Sequence, residues 1–164
     1  MENFECGAVI EKYTGSDSVV EIPAEINGLP VTKIGAGAFD SCAKLTKIRI
    51  PDSITAISDG LFNACGIKKF RISDSVTEIG EYAFSWCESL TEIHIPDSVR
   101  KIGKWAFVGC KNLRELRIPG SVTEIDKNLI YGCFALESIY IDGVKLSDAD
   151  IQRIFGDFRS MTYI

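Results

Sequence analysis

The chain contains six cysteines and one histidine, the residue types best suited to act as nucleophiles, metal ligands or redox groups. Five of the cysteines recur at intervals of 23, 22, 23 and 23 residues: Cys42, Cys65, Cys87, Cys110 and Cys133. This spacing differs from the C-x-x-C pairs that typically bind zinc. It predicts one cysteine in each unit of a structural repeat, buried and reduced as a small apolar residue. Neighbouring units could bring two thiols within disulfide range, but side chains stacked in parallel are poorly aimed for that bond.

Catalytic chemistry finds little support in the other residues. His94 is the only histidine and falls at a predicted strand surface. The chain has no nucleophile elbow, no phosphate-binding glycine loop and no spaced carboxylate motif. We therefore predict that the protein is not an enzyme, and that it has no catalytic, cofactor or metal site.

Length and composition indicate one globular domain spanning residues 1–164, with 46% hydrophobic and 25% charged residues. No apolar run approaches the roughly 18 residues of a membrane span. The first residues, MENFECGAV, lack the features of a secretory signal, and the compartment stays open. The net charge of −5 argues against a general electrostatic attraction to nucleic acid or anionic lipid.

The cysteine spacing belongs to a longer repeat with five units, at 31–53, 54–75, 76–98, 99–121 and 122–144. Each unit begins with an apolar residue, has an isoleucine three positions later, and continues to an apolar pair and the cysteine. It ends in the pattern L-x-x-I-x-I, as in Leu90, Ile93 and Ile95, and in most copies a proline follows. That alternation predicts one short strand per unit with one buried face.

A unit of this size cannot bury its own apolar columns, so the units must stack into a solenoid with a parallel sheet. The unit 54–75 is one residue short between Cys65 and Ile67. A deletion in that turn spares the strand register, and we expect Ile67 and Phe70 to point inward. Gly66 occupies the shortened turn, where we expect its permissive backbone to help.

The two ends differ from the units. Residues 1–30 have two β-rich runs, Ala8–Ile10 and Val19–Ile22, and a turn at Asn27-Gly28, and we predict an N-terminal β cap related to the repeats. Residues 145–164 are predicted to form a C-terminal cap. There, Ser147–Phe158 has the pattern of an amphipathic helix with a capping box, which would close the open end of the core.

The string VTEIGEYAFSWCESLTEIHIPDS, residues 76–98, resembles the BspA-like subclass of leucine-rich repeats, and the resemblance covers about residues 9–144. It implies a leucine-rich-repeat solenoid, mostly β with short helical turns, with a concave parallel sheet of about five to six short strands. It also implies an exported or surface-attached protein associated with adhesion and with partner proteins.

A partner would bind the residues that alternate with the buried positions of each strand, on the concave surface. These are Lys47, Arg49, Lys69, Arg71, Glu92, His94, Glu115, Arg117, Ser138 and Tyr140. The first two pairs are entirely basic, with Lys68 beside them. They favour an acidic protein segment, an acidic or sulfated glycan, or a phosphate group. Alternatively, they form a solvated face compensated by nearby acids such as Asp52 and Asp74.

A second candidate surface is aromatic. Tyr82 and Trp105 occupy the same column of adjacent repeats, and Trp86 lies close by. Gly37 and Gly60 hold that column in earlier repeats, so the repeat does not demand a large ring. The three rings form either an interface or a cover over the backbone.

Together these observations predict noncovalent recognition of a protein through the concave sheet, as a recognition or adhesion module. Two alternatives stay open: a glycan-binding module that uses the aromatic and basic residues, and a structural spacer or fragment of a larger surface protein. The oligomeric state and the identity of the partner are not predicted.

Overall fold

The computed structural model describes residues 7–159, which form 13 short strands and one helix. The chain winds into a solenoid of about six coils. In chain order the elements are β1 (Ala8–Ile10), β2 (Val19–Glu21), β3 (Glu25–Ile26), β4 (Leu29–Ile34), β5 (Lys47–Arg49), β6 (Ala56–Ile57), β7 (Lys69–Arg71), β8 (Glu78–Ile79), β9 (Glu92–His94), β10 (Lys101–Ile102), β11 (Glu115–Ile118), β12 (Ser138–Ile141), β13 (Val144–Lys145) and the helix α1 (Asp148–Phe155).

The L-x-x-I-x-I strands form the predicted parallel ladder. β2 pairs with β5, β7 with β9, and β11 with β12, all in parallel. β5 also contacts β7, and β9 contacts β11, so the ladder continues across the coils. The prediction of a parallel sheet of about five to six short strands is confirmed.

The repeat has a second ladder, although the sequence pattern predicted only one strand per unit. β6, β8 and β10 pair in parallel, with Ile57 opposite Ile79 and Ile79 opposite Ile102. Each of these strands is two residues long. Two residues are too few to show a period-2 alternation, so these strands are not visible in the sequence pattern.

Tight turns connect the second ladder to the first, in place of the predicted short helical turns. In the coil at 58–65, the N–H of Leu61 and that of Asn63 donate within the coil, three residues back. The N–H groups of Phe62 and Ala64 donate to the next coil, each at 2.8 Å. Successive N–H groups thus donate alternately within a coil and to the next coil. Among the described residues α1 is the only helix.

The core contains the predicted apolar columns, and a ladder of phenylalanines runs through it. Phe39, Phe62, Phe84 and Phe107 are buried, and successive ring centroids are 5.8, 5.4 and 5.6 Å apart. Tyr13 extends this stack at the N-terminal end, 5.1 Å from Phe39. Such contacts are worth about 0.5–1.5 kcal/mol per pair beyond the area they bury.

A serine at the end of each of the first four units forms a ladder that ties successive coils together. The hydroxyl of Ser75 donates to the carbonyl of Ile54 at 2.8 Å, and that of Ser98 donates to the carbonyl of Val76 at 2.7 Å. Ser53 and Ser121 make the equivalent bonds. Each serine therefore satisfies a carbonyl that borders the core.

The short unit keeps its core, as predicted, because Ile67 and Phe70 are both buried. The predicted reason for Gly66 is wrong, since its φ lies outside the left-handed region. A Cβ on Gly66 would lie 2.1 Å from the carbonyl oxygen of Ala43 in the preceding coil. Glycine is required there because two backbones approach closely, and not because of an unusual φ.

Both ends of the described chain cover the stack. β3 and β4 form an antiparallel hairpin at the predicted Asn27-Gly28 turn, and β1 pairs in parallel with β4. At the other end Ser147 caps α1 as predicted, although the helix ends at Phe155, before the predicted Phe158. Phe155 and Phe158 are buried against the core.

The C-terminal segment also continues the backbone ladder of the turns. Gly132 donates its N–H to the carbonyl of Phe158 at 2.7 Å, a bond that the next coil would otherwise accept. The C-terminal segment therefore accepts a hydrogen bond from the last coil and also covers its apolar surface.

Candidate functional site

The first ladder presents two rows of side chains to solvent, because alternate residues of each short strand point away from the core. We call these rows together the strand face. The first row is Val19, Lys47, Lys69, Glu92, Glu115 and Ser138, and the second is Glu21, Arg49, Arg71, His94, Arg117 and Tyr140. Ser138 and Tyr140 are half-buried and the others are exposed. The structure thus brings all the residues of the predicted binding surface to one side of the ladder.

The N-terminal segment, predicted to be only a cap, contributes a further rung to this face. Val19 lies opposite Lys47, and Glu21 lies opposite Arg49. The signal was present in the sequence, since Ile22-Pro23 repeats the Ile50-Pro51 ending of the first unit. This rung places an acid directly beside the basic residues.

The charges of the strand face are only partly compensated. Lys69 binds Glu92 at 2.7 Å, and Arg49 lies 3.6 Å from Glu21. The bond from Lys69 holds the pKa of the Glu92 carboxyl below its usual range. Among residues 7–159, neither Lys47 nor Arg71 is in an ion pair. Exposed pairs of this kind contribute about 0–1 kcal/mol, so their partners can be exchanged at little cost.

A shallow groove of about 440 Å³ runs between the β5 and β7 rungs. Four cationic side chains line it: Lys47, Arg49, Lys69 and Arg71. Asp52 and Asp74 lie at the same groove, but within the described chain neither forms an ion pair with them. Asp52 instead accepts a hydrogen bond from Ser73 at 2.8 Å. The direct counter-ions are Glu21 and Glu92, on the neighbouring rungs.

Arg117 is fixed at the far end of the second row. Its Nε donates to Glu115 at 2.7 Å, and its guanidinium carbon lies 3.9 Å from the ring centroid of Tyr140. The bond to Glu115 raises the pKa of Arg117. A guanidinium held over a ring keeps some of its donors free for a ligand.

The aromatic flank, comprising Tyr82, Trp86 and Trp105, lies on the turns of two adjacent coils. Tyr82 is 45% exposed and Trp86 is 40% exposed, while Trp105 is half-buried. The rings of Tyr82 and Trp105 are parallel within 7°, with centroids 6.3 Å apart. The three rings therefore remain at least partly exposed to solvent.

All three aromatic residues have a left-handed backbone, which the sequence could not show. Their φ angles are 55° for Tyr82, 56° for Trp86 and 61° for Trp105. The first column carries Gly37 and Gly60 in the earlier coils and Asn128 in the last, and the second carries Ser41, Ala64, Gly109 and Gly132. A bulky residue in this conformation costs about 1–2 kcal/mol. Such strain is typical of positions with a functional role.

Trp86 also covers the backbone of the next coil. A Cβ on Gly109 would lie 2.6 Å from the Trp86 ring, and Lys111 Nζ lies 5.9 Å from the ring centroid. Trp86 therefore covers backbone, as one of the two predicted interpretations has it, and its ring remains partly exposed, while an interface there stays a prediction.

The cysteine ladder is structural. The thiols of Cys65, Cys87, Cys110 and Cys133 are buried, and each donates to a phenylalanine carbonyl one coil back, at 2.9 to 3.2 Å. Burial raises the pKa of Cys87 to about 12 and raises that of Cys110 well above its usual value. Neutral, buried thiols are poor nucleophiles and poor metal ligands.

The predicted burial is confirmed for these four, and none of them forms a disulfide in the structure, while their reduced state stays a prediction. Cys42 is also free, but it is half-buried. Cys6 lies outside the described residues. Over residues 7–159 the structure contains no cluster of side chains suited to a metal ion, and no helix long and apolar enough to cross a bilayer.

Comparison with known families identifies the repeat. A sequence model of the BspA type leucine-rich repeat region matches residues 16–150 in six copies. The chain belongs to this BspA-type family. The match includes β2, in agreement with the additional rung of the strand face.

Solved structures of bacterial leucine-rich repeat proteins share the BspA-type fold. The T. pallidum leucine-rich repeat protein is 28% identical, with a TM-score of 0.73, over 85% of this chain and 75% of that one. A leucine-rich repeat protein from Bacteroides capillosus is 27% identical, with a TM-score of 0.53, over 84% and 88%. One from Bacteroides ovatus is 29% identical, with a TM-score of 0.57, over 74% of this chain and 37% of that one. No curated protein matches the chain.

Proposed function

We propose that this BspA-type chain is a recognition module that binds a protein partner noncovalently through the strand face. The observation that carries the proposal is the uncompensated charge of two adjacent rungs. Lys47 and Arg71 project from a rigid ladder over a buried core, and no described acid pairs with them. Charges fixed in this way favour a specific, oriented partner more than they stabilise the fold.

The buried thiols and His94 support a noncatalytic function. The buried thiols are held neutral, and the His94 imidazole is exposed with no hydrogen-bond partner among the described residues to orient it. Leucine-rich repeats generally act as scaffolds, and nothing in the described strand face forms a nucleophile with its base. The proposal includes a role at a cell surface as an adhesion module. It also includes a single domain that spans residues 1–164.

The test is a pull-down from native cell and host extracts, followed by binding measurements with the purified partner. The test variant reverses the charges of Lys47, Arg49, Lys69 and Arg71. The matched control reverses Lys33, Lys44, Lys104 and Lys127, four exposed cations away from the strand face. A partner lost by the first variant and kept by the control supports the strand face. A partner kept by both variants contradicts it.

A second candidate function is glycan binding by the aromatic flank. It is supported by the two large rings, which the column does not require because Gly37 and Gly60 hold it with a similar φ, and by the parallel arrangement of Tyr82 and Trp105. Parallel exposed rings can stack against the apolar face of a sugar. A glycan array with the native chain and with a Tyr82→Gly/Trp105→Gly variant tests it, because glycine is the residue of that column elsewhere. Equal array signals for both chains would contradict glycan binding at this flank.

A further inference from the structure

We propose that the occupant of the strand face is an extended acidic segment of a protein, lying across the strands with its carboxylates on the second row. The inference rests on the proposed function and specifies its partner. The segment's acids bind Arg49 and Arg71, and its path continues past His94 to Arg117.

From Arg49 to Arg117 the second row carries cationic and polar groups on successive rungs. The registers place Arg71 opposite His94 and Arg117 opposite Tyr140 on neighbouring strands. Adjacent strands lie about 4.7–4.9 Å apart, so the line from Arg49 to Arg117 spans three such intervals, roughly 14 Å. In an extended peptide, side chains on the same face recur about every 6.6–6.8 Å. Two or three carboxylates on alternate residues therefore fit the length of this line, with the long arginine side chains absorbing the difference in spacing.

The cations of this line are available to a ligand. Arg71 has no ion pair among the described residues, and Arg49 is held only at 3.6 Å by Glu21. Both members of that pair are more than two thirds exposed, at 79% and 71%. Replacing one carboxylate by another at a guanidinium keeps the charge-assisted hydrogen bonds and costs little. Arg117, held by Glu115 and Tyr140, provides an oriented end to the line.

The first row explains why a peptide fits better than a uniform polyanion. Its rungs at β5 and β7 are lysines, but those at β9 and β11 are Glu92 and Glu115. A sulfated glycan or a nucleic acid carries charge on several sides, and would bring some of it against these two glutamates. A single extended peptide can keep its acids on the second row and present its backbone N–H groups, or a basic side chain, to Glu92 and Glu115.

The experiment uses an acetylated peptide of alternating glutamate and serine, about ten residues long, and a glutamine–serine peptide of the same length. Binding to the full chain is measured by calorimetry and by amide NMR. The test variant is Arg49→Gln/Arg71→Gln, and the matched control is Lys104→Gln/Lys127→Gln, which changes the net charge equally at exposed positions off the strand face.

We expect the glutamate peptide to bind, to shift the amide resonances of the second row together, and to weaken when salt is raised from about 50 to about 150 mM. The test variant should weaken binding about tenfold, and the control should not. Equal weakening in both variants, equal binding of the glutamine peptide, or no binding of the glutamate peptide would overturn the acidic segment. Binding of dextran sulfate that requires Arg49 and Arg71, without binding of the peptide, would replace it with a sulfated glycan. In each of these cases the pull-down still decides separately whether the strand face binds a protein.

Discussion

The rings of Tyr82 and Trp105 lie parallel within 7° on adjacent coils, and both residues have a left-handed backbone, with φ of 55° and 61°. The column that holds them carries glycine in two other coils. Two energies therefore oppose each other here, because the ring contact is favourable and the backbone conformation is not. Substitutions at Tyr82 can separate these two energies.

Tyr82→Gly should be more stable than Tyr82→Ala by about 1 kcal/mol, since both lose the ring but only glycine relieves the strain. Tyr82→Gly should lie within about 1 kcal/mol of the native chain, because the lost ring contact and the relieved strain are of similar size. Urea unfolding of the three proteins checks this. An alanine variant as stable as the glycine variant would show that the backbone at Tyr82 is not strained.

Gly66→Ala should destabilise the chain by at least about 2 kcal/mol, because the new Cβ would lie 2.1 Å from the Ala43 carbonyl oxygen. The control is Gly28→Ala, where nothing lies within 4 Å of the added carbon. There the positive φ alone should cost about 1 kcal/mol. A comparison of thermal midpoints distinguishes the two causes, and equal losses would contradict the close approach at Gly66.

Ser98→Ala should cost about 1 kcal/mol, since it leaves the Val76 carbonyl without the hydroxyl that donates to it at 2.7 Å. Ser16→Ala serves as the control, because the Ser16 hydroxyl has no hydrogen-bond partner among the described residues. Chemical unfolding should rank the two variants clearly. The serine ladder would be unimportant if both changes were neutral.

The thiols of the cysteine ladder should resist alkylation in the native chain. Burial raises the pKa of Cys65 and Cys87, so the reactive thiolate is scarce while the coils are intact. In a Cys6→Ser background, we expect iodoacetamide at neutral pH to modify Cys42 at most, and all five remaining cysteines in urea. Mass spectrometry of the labelled peptides gives the result. Rapid native labelling of Cys87 would contradict the buried ladder.

The same pKa shifts predict the sign of a pH effect. The folded state keeps these thiols protonated above about pH 8.5, where the unfolded chain loses its thiol protons. The stabilising contribution is therefore complete below about pH 8.5 and is lost progressively as the pH rises towards the folded pKa, about 12 for Cys87. Cys87→Ala should show a smaller loss of stability between pH 8 and pH 10 than the native chain, if unfolding is followed across that range at about constant salt.

Much of the fold could be predicted because the same apolar pattern recurs in successive units. The columns through Ile79, Phe84 and Cys87 recur at fixed positions, and their burial follows from stacking. The second ladder was missed because two residues show no alternation. The left-handed φ at Tyr82 and Trp86 was missed because sequence patterns report side-chain placement, while φ depends on the backbone bonds between coils.

The strand face was located from sequence, but its electrostatics were not. Alternation in each strand identified residues such as Lys69 and Arg71. Which acid pairs with which cation depends on the neighbouring rung, so Glu92 is the partner of Lys69 and Asp74 is not. The rung formed by Val19 and Glu21, which was predicted to belong to the cap, also places an acid next to Arg49.

The bonds between coils join residues of nearly constant separation, such as the 22 residues from Ser98 to Val76 and the 26 from Cys110 to Phe84. A gene rearrangement that adds or removes one whole unit would leave every such pairing intact, with a new neighbour in the same place. Insertion of a few residues within a strand would shift the pairing of that unit with both of its neighbours. Duplication would therefore lengthen the strand face in steps of one rung, and each step offers two new outward positions to selection without a new core.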